Sequence, residues 1–179
     1  MRRRIPLAVG VLFLACSPAM AQARGDVSAG YRFLQSEGVG YPLGWYFDAT
    51  GHINRVISIV GDVGGTYKSD SLSLGSFTQS LDARIHTFMG GVKVRALTKN
   101  PDVIAFGQAL FGAAHLRRRT TSLGITLTRA STEPALSFGA GVDVNDLPVD
   151  LRFQITWLRV FEDDGSNAFH FSVGAKFDF

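Results

Sequence analysis

The feature that most constrains this chain is a two-residue alternation that runs to its last residue. Over 169–179, Phe169, Phe171, Val173, Ala175, Phe177 and Phe179 take every second position, with His170, Ser172, Gly174, Lys176 and Asp178 between them. Successive side chains of a strand point to opposite faces, so this segment sorts as a strand into an apolar and a polar row. A helix of period 3.6 would mix the two. The segment 149–160 repeats the pattern, with Val149, Leu151, Phe153, Ile155 and Trp157 opposed to Asp150, Arg152, Gln154 and Thr156.

Six further segments read as strands. In 136–144, Leu136, Phe138, Ala140, Val142 and Val144 separate from Ser137, Gly139, Gly141 and Asp143; in 57–67, Ile57, Ile59, Val63 and Tyr67 separate from Ser58, Asp62 and Thr66, with Val60 as the exception. Segments 27–36, 43–50 and 84–96 alternate less cleanly, and 103–115 is apolar on both faces, which leaves its register open. The connections support the count. Those near 37–42, 69–81, 116–134 and 162–168 are mostly long and polar. Those near 51–55, 97–102 and 145–148 are short, with turn formers such as Asn100-Pro101-Asp102. Alternating short turns and long loops mark barrels that cross an outer membrane, with short turns on the periplasmic side. The expectation is one domain of eight antiparallel strands.

The N-terminal segment stands apart. Arg2, Arg3 and Arg4 precede a short apolar run at 5–15, and Ala19-Met20-Ala21 supplies a small-x-small cleavage site. This is the layout of a secretory signal peptide, and the run is too short to span a bilayer as a helix. Cleavage after Ala21, with Ala23 as the alternative, divides the chain into a signal peptide, 1–21, and a barrel domain, 22–179. It also leaves 15 basic against 15 acidic residues, so the basic character of the full chain belongs to the leader, and nucleic acid is not an expected partner. The single cysteine, Cys16, lies in the leader; Leu14-Ala15-Cys16-Ser17 faintly resembles a lipoprotein site, with Phe13 where such sites carry Leu. Without Cys16 the exported chain has no disulfide and no thiolate metal site.

Alternation does not say which row faces outward, but three features point the apolar rows to lipid. The polar rows are rich in Gly, Ser and Thr with few charges, as a narrow filled lumen requires. Charged residues make up 18% of the chain, too few for a water-facing barrel exterior. Trp45 and Trp157 fall on apolar rows near loop-proximal strand ends, where aromatic girdles meet headgroups. A chain with no helix-spanning run can cross a bilayer only as a closed barrel, since lipid offers nothing to an open sheet edge.

On these residues the chain resembles the small OmpA/OmpX-like outer-membrane β-barrel family, over roughly 25–179. The terminal Phe169-x-Phe171 and Phe177-x-Phe179 resemble the signal by which bacterial outer-membrane proteins are recognised by the barrel-assembly machinery. The resemblance implies an all-β, eight-stranded antiparallel up-and-down transmembrane β-barrel, preceded by a cleavable signal peptide, in the outer membrane of a Gram-negative-type cell. It implies a monomer with outer-membrane lipid and lipopolysaccharide as partners, and no peptidoglycan-binding domain follows.

Candidate residues follow from the rows. Arg32, Asp48, Asp62, Lys68, Asp143, Asp150, Arg152, Lys176 and Asp178 are expected in the lumen as ion pairs, because charges enclosed in a barrel this narrow must be paired. Arg117, Arg118, Arg119 and Arg129 are expected near the longest external loop, where guanidinium groups suit phosphate. His170-x-Ser172, with Glu162 or Glu133 as acid, is the one arrangement offering a nucleophilic triad. It resembles the His-x-Ser of lipid A deacylases, but Val173 stands where those enzymes carry Asn. Glu162-Asp163-Asp164-Gly165 reads as an external turn rather than a cation loop. No cofactor and no metal ligand set is expected, and the reading is a structural or surface-binding role, not catalysis. A gated channel, a lipid A-modifying enzyme and a soluble lipocalin-like barrel are the competing readings. The leader carries a direct expectation: mass spectrometry of the membrane-bound protein finds a chain beginning at Gln22, and one beginning at Met1 contradicts it.

Overall fold

The computed structural model describes the backbone over 25–36, 39–74, 77–97, 102–122, 125–145, 148–162 and 165–179, with side chains over the same residues except 39, 70–81, 122 and 125. The expected signal peptide lies outside these residues. The described residues form nine strands: β1 (Gly25–Ser36), β2 (Val39–Tyr41), β3 (Leu43–His52), β4 (Ile57–Leu74), β5 (Phe77–Arg95), β6 (Val103–Ser122), β7 (Ile125–Val144), β8 (Asp150–Val160) and β9 (Ser166–Asp178).

Eight of them, β1 and β3 to β9, pair antiparallel with their chain neighbours, and β1 also pairs with β9 from Asp26↔Asp178 to Ser36↔Ala168. The closing seam is hydrogen-bonded to its end: Gly25 N–H donates to the Phe179 carbonyl at 3.0 Å, and Phe179 N–H to the Gly25 carbonyl at 2.9 Å. The result is a closed up-and-down barrel with no edge at membrane depth, the condition lipid imposes.

Sidedness follows the alternation. On the outer face Phe88, Phe111 and Ile155 are 56%, 63% and 47% exposed, while Lys93 and Arg152 on the inner face are fully buried. Charged residues inside and large apolar residues outside invert the arrangement of a water-soluble protein, and the exterior is what acyl chains solvate. The segment whose register the sequence leaves open is settled by packing. Phe106, Gln108, Leu110, Ala114 and Leu116 of β6 are buried inward, and Val103, Ala105 and Phe111 are exposed. Val60 is buried inside, as its place in the polar row of 57–67 requires.

Three expectations about loops are corrected. The segments 69–81 and 116–134 are largely strand: β4 and β5 stay paired to Leu74↔Phe77, and β6 and β7 to Ser122↔Ile125. Strands of 18 to 20 residues are nearly twice the ~9–11 that cross a bilayer, so both hairpins project beyond one rim. Their projecting parts are mostly Ser, Thr, Asp and Arg, with only short alternations such as Leu72, Leu74 and Ile125, Leu127, so they show no long apolar row, yet backbone pairing does not need one. The connection near 37–42 likewise contains β2, which pairs back on β1 through Leu34↔Tyr41. At the opposite rim the connections are tight. At 53–56 the Asn54 side chain accepts from the Val56 and Ile57 N–H groups at 2.8 and 2.7 Å, fixing the turn.

An outward charge tests the sidedness. Ile155→Arg is expected to cost about 2–4 kcal/mol of stability in lipid vesicles, measured by urea titration. A variant as stable as the parent contradicts an acyl-facing Ile155.

Candidate functional site

The lumen has two storeys. At the short-turn end a charged floor centres on Arg152 of β8. Its guanidinium donates from Nε and Nη2 to Asp143 at 2.7 and 2.9 Å, from Nη1 to Asp48 at 2.7 Å, and pairs through Nη2 with Asp26 at 2.9 Å. Lys93 donates to Thr50 Oγ1 at 2.9 Å and stands 3.8 Å from Asp48, over the Phe106 ring. Arg95 reaches Asp26 at 3.2 Å, and Lys176 reaches Asp178 at 2.8 Å. Four cations are thus met by Asp26, Asp48, Asp143, Asp150 and Asp178, so burial leaves little net charge uncompensated. One step higher, Arg32 forms a two-pronged pair with Asp62 at 2.6 and 3.0 Å, donates from Nε to Ser172 and lies over the Tyr46 ring.

Above this floor the lumen is mixed, with Thr66, Ser137, Thr156 and His170 buried among apolar side chains. Leu34, Leu110, Leu116, Leu158 and Val160 pack with Met89 and Tyr41, the last delivered by β2. The expectation of a small, polar row filling the whole centre holds for the floor and fails for this storey. The apolar residues here interrupt the polar rows of several strands, as Leu34 does in β1 and Leu158 in β8.

Of the expected lumen residues, Arg32, Asp48, Asp62, Asp143, Arg152 and Lys176 are buried. Asp150 and Asp178 sit at the floor's rim, with side chains 23% and 53% exposed, and Lys68 is half-buried on the inward row of β4 beyond the upper storey. Asp26, Lys93 and Arg95 belong to the network but were not among the candidates.

The arginines of the hairpin end divide into two sets. Arg117 and Arg119 occupy the outward row of β6, while Arg118 faces the other way and pairs in register with Arg129, close to Glu162 and Ser131. The outward set gains Arg84, which lies directly opposite Arg117 on β5. Both are exposed, and a belt of polar-tipped rings begins level with Arg84 at Tyr67 and continues one step below. Trp45 Nε1 donates to Tyr67 Oη at 3.1 Å, Tyr67 Oη meets His86 Nε2 at 3.1 Å, and His86 is level with His115, whose Nδ1 bonds Thr132 Oγ1 at 2.8 Å. Phe138 and Trp157 stack at 6.2 Å at a comparable height across the barrel. Phe169, Phe171, Phe177 and Phe179 are all exposed on the outer face of β9 or its end.

His170 and Ser172 are both buried in the lumen, but no triad assembles around them among the described residues. Ser172 Oγ accepts from Arg32, and His170 is level with Thr156 and Gly139. Glu133 lies six residues from Gly139 along β7, and Glu162 six residues beyond Thr156, each about 20 Å away at ~3.3 Å per residue. Asp163 and Asp164 lie outside the described residues.

Removing Arg152 takes their shared guanidinium from three buried carboxylates and leaves them the longer contacts to Arg95, Lys93 and Lys176. Arg152→Ala is expected to cost about 3–5 kcal/mol in vesicle unfolding experiments, the usual penalty for breaking a buried ion pair. A parent-like urea midpoint would show that the floor contributes nothing.

No family model and no curated protein sequence matches the chain. Solved structures do. The attachment invasion locus protein Ail of Yersinia pestis, solved in complex with the heparin analogue sucrose octasulfate, superposes with a TM-score of 0.58 at 19% identity, over 87% of this chain and 99% of Ail. Neisserial surface protein A superposes with a TM-score of 0.57 at 15% identity, over 87% and 96%. The outer membrane protease OmpT of Escherichia coli reaches 0.50 at 8% identity, over 87% and 96%. At these identities the likeness shows the fold alone, and a fold shared with a protease does not decide catalysis. The closed eight-stranded ring and these superpositions show that the chain has the fold of the small OmpA/OmpX-like outer-membrane β-barrels.

Proposed function

We propose that the chain is an exported, monomeric, non-catalytic protein of the bacterial outer membrane that binds lipopolysaccharide phosphate through arginines at its external rim. The leader directs export and is cleaved after Ala21. The terminal aromatic strand, β9, is presented to the barrel-assembly machinery, and the short turns stay in the periplasm.

The observation that carries the reading is the outward pair Arg84–Arg117. Like charges directly opposite across a sheet destabilise it unless an anion lies between them. The pair stands two residues, about 7 Å, above the register level of Trp45, His86 and His115, with Tyr67 level with Arg84, and these polar-tipped rings mark the headgroup level. Phosphates of lipid A occupy that height, and guanidinium groups bind them with paired hydrogen bonds. Arg119, opposite Asp82 on β5, continues the row upward. The heparin analogue in the Ail complex gives a precedent for polyanion binding on this fold in that protein.

The test compares the parent with Arg84→Ala/Arg117→Ala in vesicles containing lipopolysaccharide, dephosphorylated lipopolysaccharide or phosphatidylcholine alone. The parent is expected to retain lipopolysaccharide in a salt-sensitive manner, and the double variant to lose about tenfold of that affinity, on the order of 1.4 kcal/mol. Equal retention by parent and variant, or retention indifferent to phosphate, overturns the reading.

A further inference from the structure

A second cluster lies at the opposite end of the barrel. Asp26 at the start of β1, His52 at the end of β3 and Asp178 at the end of β9 are far apart in sequence. Barrel closure brings one ligand atom of each within 4.8 Å of the others. The cluster opens on a cavity of about 430 Å³ lined by Gly25, His52, Arg95, Asn145, Lys176 and Asp178, with Asp26 fully buried behind it.

The geometry of His52 is informative. Its Nδ1 is held by Ser58 Oγ at 2.9 Å, which fixes the ring and aims Nε2 at Asp26 Oδ2, 3.4 Å away. That separation is long for a closed N–H···O bond. It matches the spacing of two ligands on one tetrahedral ion, since metal–ligand distances of ~2.0–2.2 Å subtend about 3.3–3.5 Å between ligand atoms. A metal-binding histidine whose second nitrogen is held by a neighbour is the usual outer-shell arrangement.

Arg152 Nη2 stays on Asp26 Oδ1 at 2.9 Å, and two further cations attend the ligand oxygens: Arg95 Nη2 is 3.2 Å from Asp26 Oδ2, and Lys176 is 2.8 Å from Asp178. Each has another partner to turn to. Arg95 lies 3.8 Å from Asp143, and Lys176 lies 3.0 Å from Asn145 Oδ1 and 3.8 Å from Asp150. Both can therefore yield to a metal without becoming unpaired. One imidazole and two carboxylates with an open fourth position suit a zinc-class ion; calcium prefers six to eight oxygens.

We propose that this mouth binds one zinc-class divalent ion through Asp26, His52 and Asp178. The site is independent of the lipid-binding rim. The test is calorimetric titration of the folded, chelator-treated barrel with zinc chloride, with cobalt absorption reporting coordination. Folding of each variant is verified first by heat-modifiable gel migration. One ion per chain is expected. His52→Ala and Asp178→Ala are each expected to weaken binding by about tenfold or more. Arg95→Gln is expected to tighten it by removing the competing cation, and His86→Ala/His115→Ala to leave it unchanged. No saturable binding, parent-like affinity in His52→Ala, weaker binding in Arg95→Gln, or loss of binding in the His86/His115 variant overturns the proposal.

Discussion

Hydrocarbon offers a polypeptide no hydrogen-bond partner, and the rest of this structure follows from that. A sheet with a free edge at membrane depth would leave a row of N–H and C=O groups unpaired at several kcal/mol each. The chain meets the constraint where β9 returns to β1, a seam paired from Asp26↔Asp178 to Ser36↔Ala168 and hydrogen-bonded through to Gly25 and Phe179. Once the ring is closed, every second side chain is committed to lipid and the rest to a narrow interior.

The interior is too small to hydrate the charges that alternation sends there, so they neutralise one another. Arg152 holds Asp26, Asp48 and Asp143 from three other strands, which makes the floor a cross-brace as well as a charge balance. The more apolar storey above it is less demanding of geometry and fills the remaining section with Leu34, Leu158 and their neighbours. The interior is thus occupied by its own packing, and chemistry open to outside molecules falls at the two ends: arginines above the aromatic belt on one side, the His52 mouth on the other. The long hairpins β4–β5 and β6–β7 extend that first end well past the membrane.

Much of this is legible in the sequence. The outer rows of β8 and β9 can be read directly, because Phe153, Ile155, Phe169, Phe171 and Phe177 stand at every second position. Three features resist such reading, each for a physical reason. The projecting hairpins are mostly Ser, Thr, Asp and Arg, so a search for a long apolar row ends near the membrane surface while backbone pairing continues. Asp26, Lys93 and Arg95 fall at strand ends or in a strand recognised by its apolar row, and nothing local marks them as partners of a distant Arg152. The pairings of Arg84 with Arg117 and of His52 with Asp26 and Asp178 depend on register between strands, which the sequence of one strand does not contain.

The central claim is that the apolar rows touch acyl chains, and both tryptophans report on it, since Trp45 is outward and exposed and Trp157 stacks on the exposed Phe138. The most direct measurement is tryptophan fluorescence of the folded protein in bilayers of lipids brominated at defined depths along the acyl chain. The account predicts quenching that is strongest for bromines near the headgroup and weaker toward the bilayer centre. Emission indifferent to bromine at every depth, from a protein that stays folded in water without lipid or detergent, would contradict it.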